Sequence, residues 1–536
     1  MTSSDAPAPA TLPEIAPALA RTASHYDAVP YESYPFPLTH PARLAAIGRL
    51  FDLTPPPIRT ARILEIGCAA GGNIIPLAAQ LPDATCLGID LSGVQVEQGQ
   101  RRAAGMDLRN ITLRRQSVTE IGSRDGPFDY IICHGVYSWV PATVREAILR
   151  VCAECLSDNG MAVVSYNVMP GWHVKLVVRD SLIAHAAHIQ DPSQKTAETR
   201  RFINLVKDSV SKQSPYGNAL RTELEDLAEQ RDDYVMHEFL EEENTPCTFT
   251  AFVQAAARVG LSYLGDTLLH SMIAESYGEE IASALQLLSA NRLLAHEQYL
   301  DILTGRTFRR SILIRTTTMG PVQRALNPAR LMDLHIAGQF TEAPAPEVSG
   351  ARTFRHRAGR MLTTASPNVH VALERLAARY PGTVTPAELI RTAGLEEPGS
   401  RSAIVIDALG EMMNAGMLDF YIDPLRVGSA SAPRPTAIAL ARADIAQGAA
   451  STASLRHEQV SLDIGGQLLV PLLDGTRDRE ALCTGLLQAI ADRGMQLKRD
   501  GEPITRHDEQ RAAALQLIEA LLKSLESRAL LQADSA

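Results

Sequence analysis

Between residues 61 and 167 the chain alternates short apolar runs with amphipathic stretches of helical period. The apolar runs fall in "ARILEIG", "ATCLGID", "NITLRRQSV", "FDYIICH" and "GMAVVSYN". Among them lie "GGNIIPLAAQL", "GVQVEQGQRRAA" and the segment Pro141 to Leu156, where apolar positions recur every three or four residues. Repeated strand–helix units predict a parallel sheet with helices on both faces, an α/β Rossmann-like architecture. A helix over Pro41 to Leu53, apolar at Leu44, Ile47, Leu50 and Phe51, precedes it. From about 170 to 300 the pattern is helical, and "TFRRSILIR" (307–315) reads as a strand.

The downstream chain is divided by two linkers, "EAPAPEVSGA" and "VGSASAPRPTA". Between them, helix, helix, helix, strand is the pattern of a winged-helix-like unit over 353–425. Its second helix opens on a capping box, Thr385 with Glu388, and has proline in its first turn. The remainder, 437–536, is helix-rich with one strand candidate, "EQVSLDI". Residues 1–23 are Ala/Pro-rich and are expected to be disordered rather than a signal peptide. Residues 24–40, "SHYDAVPYESYPFPLTH", are dense in aromatics and prolines and read either as a strap packed on the sheet domain or as a lid.

With 536 residues the chain exceeds a single compact core. Its net charge of −10 argues against broad nucleic-acid binding. No run of 18 apolar residues implies a membrane span, and a cytoplasmic location is expected. The seven cysteines form no disulfide framework, which fits a reducing compartment. Cys152 and Cys155 lack a second ligand pair for zinc and are expected to face the core. "HEFLEEEN" (237–244) begins His-Glu, but Glu241 stands where a zinc helix needs its second histidine. It reads as an acidic helical face able to meet a basic peptide or another domain.

The chemistry concentrates at the strand ends. "LEIGCAAGGN" ends the first strand and opens a helix, with Glu65, Gly67 and Gly71 spaced E-x-G-x-x-x-G. Small residues there let a ligand approach the backbone. Ala69 replaces the middle glycine of a dinucleotide fingerprint, and no P-loop lysine follows. The second strand ends in Asp90, 25 residues after Glu65, where a carboxylate can accept from a ribose diol. This combination resembles the class I S-adenosylmethionine-dependent methyltransferases. The resemblance implies that Gly67, Ala69 and Gly71 contact the methionine part of the cofactor, that Asp90 and Leu91 hold its ribose, and that Ser117 and Val118 lie by the adenine. Ser117 stands where the family usually has an aspartate.

"HYDAVPYESYPFPLTHPARL", "HGVYSWVP", "SYNVMPGWH" and "YVMHEFLEEENTPCTFTAFVQAAARVGLSYL" resemble bacterial protein-lysine methyltransferases that modify outer-membrane proteins. The resemblance covers roughly residues 25 to 425. It implies a methyltransferase domain over 24–190, a mostly helical methyltransferase regulatory domain over 191–341, and a winged-helix-like C-terminal region. It also implies S-adenosyl-L-methionine as cofactor and a protein substrate, such as an outer-membrane protein before export. Nucleic acid is not expected as a partner.

Both tryptophans of the chain follow sheet strands, Trp139 after the fourth and Trp172 after the fifth. Ligands of open α/β sheets bind beyond the carboxyl ends of strands, so Tyr137, Trp139, Asn167 and Trp172 are candidates for the acceptor side. Aromatic faces attract a sulfonium or an ammonium. His134, a candidate cofactor contact, Tyr137 and His173 are each able to orient an amine or relay its proton, and Asp129 reads as structural. No N-P-P-Y or D-P-P-Y follows the fourth strand, which removes the usual signature of adenine and glutamine methylation. Three functions fit these residues: lysine methylation of a protein, methylation of a small molecule or natural-product peptide, and cofactor sensing by a non-enzymatic regulator.

Overall fold

Among the described residues, seven strands run in order across the central sheet: β1 (Arg62–Ile66), β2 (Thr85–Asp90), β3 (Ile111–Arg115), β4 (Phe128–Cys133), β5 (Leu156–Met169), β6 (Leu261–Asp266) and β7 (Phe308–Arg315), and the two-residue strand Cys247–Thr248 pairs with the end of β5. The order across the sheet is 3-2-1-4-5-7-6. The first five strands are parallel, and β7 runs antiparallel to both β5 and β6. The structure is a computed structural model that describes residues 27, 32–189, 191–241, 243–289, 292–318, 328–344, 350–392, 394, 400–499 and 502–533. Segment 1–23, with Tyr26 and Tyr31 of the aromatic strap, lies outside the described residues.

Alternation along the strands divides the core in two, because successive strand residues face opposite sides. Ile63, Tyr130, Ile132, Met161, Val163, Ile312 and Ile314 pack with α1 (Pro41–Leu50), α2 (Ile74–Gln80) and α3 (Gly93–Gly105). Leu64, Ile66, Ile131, Cys133, Ala162, Val164 and Tyr166 face α4 (Ala142–Cys155) on the other side. Cys152 and Cys155 are buried there as free thiols.

The helical reading of 170–300 holds for α5 (Trp172–Ala186), α6 (Pro192–Ser209), α7 (Pro215–Glu229) and α8 (Asp232–Phe239). These share a separate small core that includes Leu182, Ile203, Leu224, Val235 and Phe239. It is interrupted after α9 (Phe249–Arg258) and resumes with the helix Glu279–Ser289. Gly260, with φ +86°, ends that helix, and "LSYLGD" enters the sheet as β6. Six apolar-rich residues are too short a run to separate a strand from a buried helix by period. Helix α10 (Leu293–Thr304) then leads into β7. The sheet is therefore completed by strands from the segment expected as the regulatory domain.

Residues 335–422 contain a three-stranded antiparallel sheet (340–343, 352–356, 361–364) and helices Pro367–Arg379, Pro386–Thr392 and Ser400–Asn414. The capping box forms: Thr385 N–H donates to Glu388 Oε2 at 2.8 Å, and Glu388 N–H to Thr385 Oγ1 at 3.2 Å. In the tail, a hairpin of β8 (Ser451–Ala453) and β9 (Gln459–Ser461) leans on the sheet domain. Gln80 Nε2 donates to Ser454 O at 3.0 Å, and Arg102 forms a bidentate pair with Asp444 at 2.8 and 2.9 Å. No described helix is long and apolar enough to cross a membrane.

Candidate active site

The turn after β1 is shaped by steric necessity. Gly67 has φ +74°, and a Cβ there would lie 2.4 Å from Val136 Cγ2. Ala69 also adopts the left-handed region, with φ +48°. Its N–H donates to Asp90 Oδ2 at 2.8 Å, while Ser92 N–H donates to Asp90 Oδ1 at 2.9 Å. Burial raises the Asp90 pKa, and these two N–H bonds oppose the rise.

Behind the turn lies Glu65, buried and accepting from Asn73 Nδ2 at 2.8 Å. Burial pushes its pKa up to about 8, opposed by the Asn73 bond and assisted by the charge of Asp90. Its Oε2 is buried and engages no hydrogen bond among the described residues. Asn73 Oδ1 accepts from Phe36 N–H at 2.8 Å, from His457 Nε2 at 2.7 Å and, at 3.5 Å, from Thr39 Oγ1. His457 sits at the turn of the β8–β9 hairpin with φ +59°. Burial holds its imidazole well below the usual pKa, so the ring is neutral and Nε2 carries the proton toward Asn73. The strap adds a further tie, Gly72 N–H to Ser33 Oγ at 2.7 Å.

A cavity of about 250 Å³ opens above this turn. Glu65, Gly67, Ala69, Asp90, Leu91, Ser117, Val118, His134 and Trp139 line it. Gly71, φ +75°, lies within the turn but not on the cavity wall. Ser117 Oγ accepts from Thr119 N–H at 3.3 Å. The His134 ring meets Phe36 edge-on at 4.2 Å and Phe308 at 5.8 Å. Burial pushes the His134 pKa down to about 3, assisted by Arg310, and its buried Nδ1 has no hydrogen-bond partner among the described residues.

Tyr137, Asn167 and Trp172 do not line the cavity. The Tyr137 ring packs edge-on against Phe252 (5.3 Å) and Tyr166 (6.2 Å) on the α4 side of the sheet. Asn167 is buried; its N–H donates to Ser138 Oγ at 2.9 Å and its Nδ2 to Asn244 Oδ1 at 3.4 Å. Trp172 is buried between Trp139 (6.3 Å, edge-on) and Phe239 (6.4 Å, stacked). His173 is exposed at the start of α5. Asp129 accepts from Arg62 N–H at 2.9 Å and Ser157 Oγ at 2.8 Å, as a structural residue does.

Sequence reasoning missed several wall residues: Ser33, Phe36, Asn73, Gln95, Phe308, and His237 with Glu238 of α8. Asn73 had a local signal, an amide directly after Gly71-Gly72 at a helix start. The acidic face read in "HEFLEEEN" is split. Phe239 points into the α5–α8 core, and Glu238 borders the cavity.

Three family models match the chain. "Methyltransferase domain" covers residues 64–162, "Predicted methyltransferase regulatory domain" 231–315, and "PKMT, C-terminal winged helix domain" 433–530. The winged-helix match falls on the tail rather than on the preceding helix–helix–helix–strand unit. Uncharacterized protein RP789 of Rickettsia prowazekii is 31% identical over 523 residues, covering 94% of this chain and 93% of that protein. PKMT2 from Rickettsia typhi is 26% identical, with a TM-score of 0.82 over 94% of this chain and all of that one. Its complex with AdoHcy superposes with a TM-score of 0.83. A sheet ordered 3-2-1-4-5-7-6, an acidic glycine turn below a cavity, and these matches over nearly the whole length make this chain a member of the S-adenosylmethionine-dependent methyltransferases that carry a methyltransferase regulatory domain and a PKMT-type C-terminal winged helix.

Proposed function

We propose that this methyltransferase N-methylates lysine side chains of a protein, with Trp139 on the acceptor side of the cavity. The observation that carries the reading is the part of the cavity lining formed by Trp139. There Trp139 is backed by Trp172 and Phe239, and a carboxylate from the regulatory segment stands in the same cavity. An aromatic face with a nearby carboxylate suits an ammonium. The likeness to PKMT2, whose name denotes a protein lysine methyltransferase, supports the same reading. The seven free cysteines support a reducing, cytoplasmic setting in which a secreted protein is met before export. The test incubates the purified protein and isotope-labelled cofactor with bacterial envelope proteins, followed by amino-acid analysis. Label in methyl-lysine is expected; label confined to small molecules overturns the assignment.

The residues fit the cofactor. Glu65 offers a buried, unpaired oxygen to a cation, Asp90 has lone pairs left for a ribose diol, and the glycine turn leaves room beside the backbone. When bound, S-adenosylmethionine supplies a sulfonium methyl for in-line transfer to a nucleophile. The remaining demand on the protein is positioning.

A cation brought to Glu65 ionises it. With the free group at about 8, binding at neutral pH releases a proton. The affinity for S-adenosylhomocysteine is expected to rise up to about tenfold per pH unit below 8 and to level off above. Calorimetry in two buffers of different ionisation heat measures the proton released.

Trp139 and Tyr137 are expected to separate. Trp139→Ala should lower turnover roughly fivefold, the scale of a cation–π contact near 1 kcal/mol. Tyr137→Phe keeps the ring packing against Phe252 and should stay within about twofold of wild type. Initial rates at saturating cofactor compare the two.

A further inference from the structure

We propose that Glu238, on the regulatory helix α8, is the carboxylate that receives the lysine ammonium and takes its proton before methyl transfer. The inference rests on the lysine reading above and gives the regulatory segment a direct part in the site.

The placement is specific. Val235, Phe239 and Leu240 anchor α8 in the α5–α8 core, which leaves Glu238 on the helix side that borders the cofactor cavity. The segment after α8 is tied to the sheet rim, with Thr245 N–H donating to Ser138 O at 2.8 Å and Asn167 Nδ2 to Asn244 Oδ1 at 3.4 Å. Arg179 further bonds the carbonyl of Glu241. Glu238 is thus held in the lining of the same cavity as Trp139, Glu65 and Asp90.

Its carboxylate is kept available. The cation that acts on it most strongly, Lys175 of α5, is engaged by Glu223 of α7. No hydrogen bond or ion pair with a described residue occupies Glu238 itself. The groups that face it are Lys175 and its helix neighbour His237, with Glu65, Asp90 and the neutral His134 around the cavity. Burial pushes the Glu238 pKa up to about 7, opposed by Lys175 and His237. A base of that strength is ionised often enough to bind an ammonium and basic enough to accept its proton near neutral pH.

The step balances. The ammonium loses one proton to the Glu238 carboxylate, which becomes a carboxylic acid. The neutral amine then forms the new N–C bond with its lone pair as the methyl–sulfur bond breaks, and that bonding pair stays on sulfur. The methylated ammonium keeps the positive charge, and Glu238 returns its proton to solvent.

The test uses the full chain loaded with S-adenosylhomocysteine and n-butylammonium, which reproduces the lysine terminus. Wild type is expected to bind it, and Glu238→Gln at least tenfold more weakly, with S-adenosylhomocysteine affinity unchanged within twofold. Glu238→Ala guards against an effect peculiar to glutamine. In turnover with a lysine acceptor, Glu238→Gln should lose the acidic limb centred near pH 7 and at least tenfold in kcat. Equal butylammonium binding by wild type and both variants, or none by wild type, overturns the role of Glu238. Loss of S-adenosylhomocysteine affinity in parallel overturns it also, by showing a structural role. If butylammonium binds through Glu238 while no lysine is methylated, the ammonium site stands and the lysine assignment falls.

Discussion

Replacing Arg309 with methionine is expected to destabilise the protein by about 3–5 kcal/mol. Arg309 lies fully buried on β7. It pairs with Asp301 at 2.7–3.1 Å, with Glu297 at 2.9 Å, and with Asp266 of β6, and it stacks over Phe249 at 4.3 Å. Without the guanidinium, Arg306 is the remaining cation paired with these three buried carboxylates among the described residues, reaching Asp266 at 3.5 Å and Asp301 at 3.4 Å, while Ser311 Oγ still donates to Asp266 at 3.1 Å. Burial already raises the pKa of Glu297 and Asp301 while Arg309 pulls them down. Removing it raises them further. Carboxylates whose folded pKa lies above the unfolded value are tolerated below the unfolded pKa and cost stability as pH rises through the folded one. The deficit should therefore be smaller at pH 5 than at pH 8. Urea melts of both proteins at the two pH values measure it, and a deficit below 1 kcal/mol at pH 8 rejects the account.

Asn73→Leu is expected to weaken S-adenosylhomocysteine binding by about a hundredfold. The leucine is nearly isosteric, yet it removes partners from Glu65, from Phe36 N–H and from His457 Nε2 together. Each buried group left unpaired costs about 1–3 kcal/mol, and Glu65 is the one that faces the cofactor. His457→Ala removes only one of these bonds and should cost about tenfold or less. Calorimetric titration of both variants tests the order; a larger loss for His457→Ala contradicts it.

The parts legible in the sequence were those that depend on neighbours a few positions apart. The strand–helix alternation, the Glu65–Gly71 turn and the Thr385–Glu388 box each write their geometry within about ten residues. The cavity wall does not. Asn73 meets His457 across 384 positions, and Glu238 reaches the cavity because α8 is pinned by a core that no local pattern reveals. The aromatic stretch after β4 was read as one wall, but residues 137–139 form a single 3-10 turn. That turn sends Tyr137 to the α4 side and Trp139 to the cavity. In the tail, "EQVSLDI" does hold a strand, β9, whereas its partner β8 is only three residues, too short to show alternation.

The contact between His457 and Asn73 also sets an order of events during synthesis. The glycine turn leaves the ribosome early, with Phe36 already available to Asn73. Its imidazole partner is made 384 residues later. A nascent chain can close the strand–helix layers and still lack the last hydrogen bond that holds Asn73 toward Glu65. The cofactor turn is thus finished by the tail hairpin, and a chain truncated before it would carry every residue of the E-x-G-x-x-x-G turn with its supporting network incomplete.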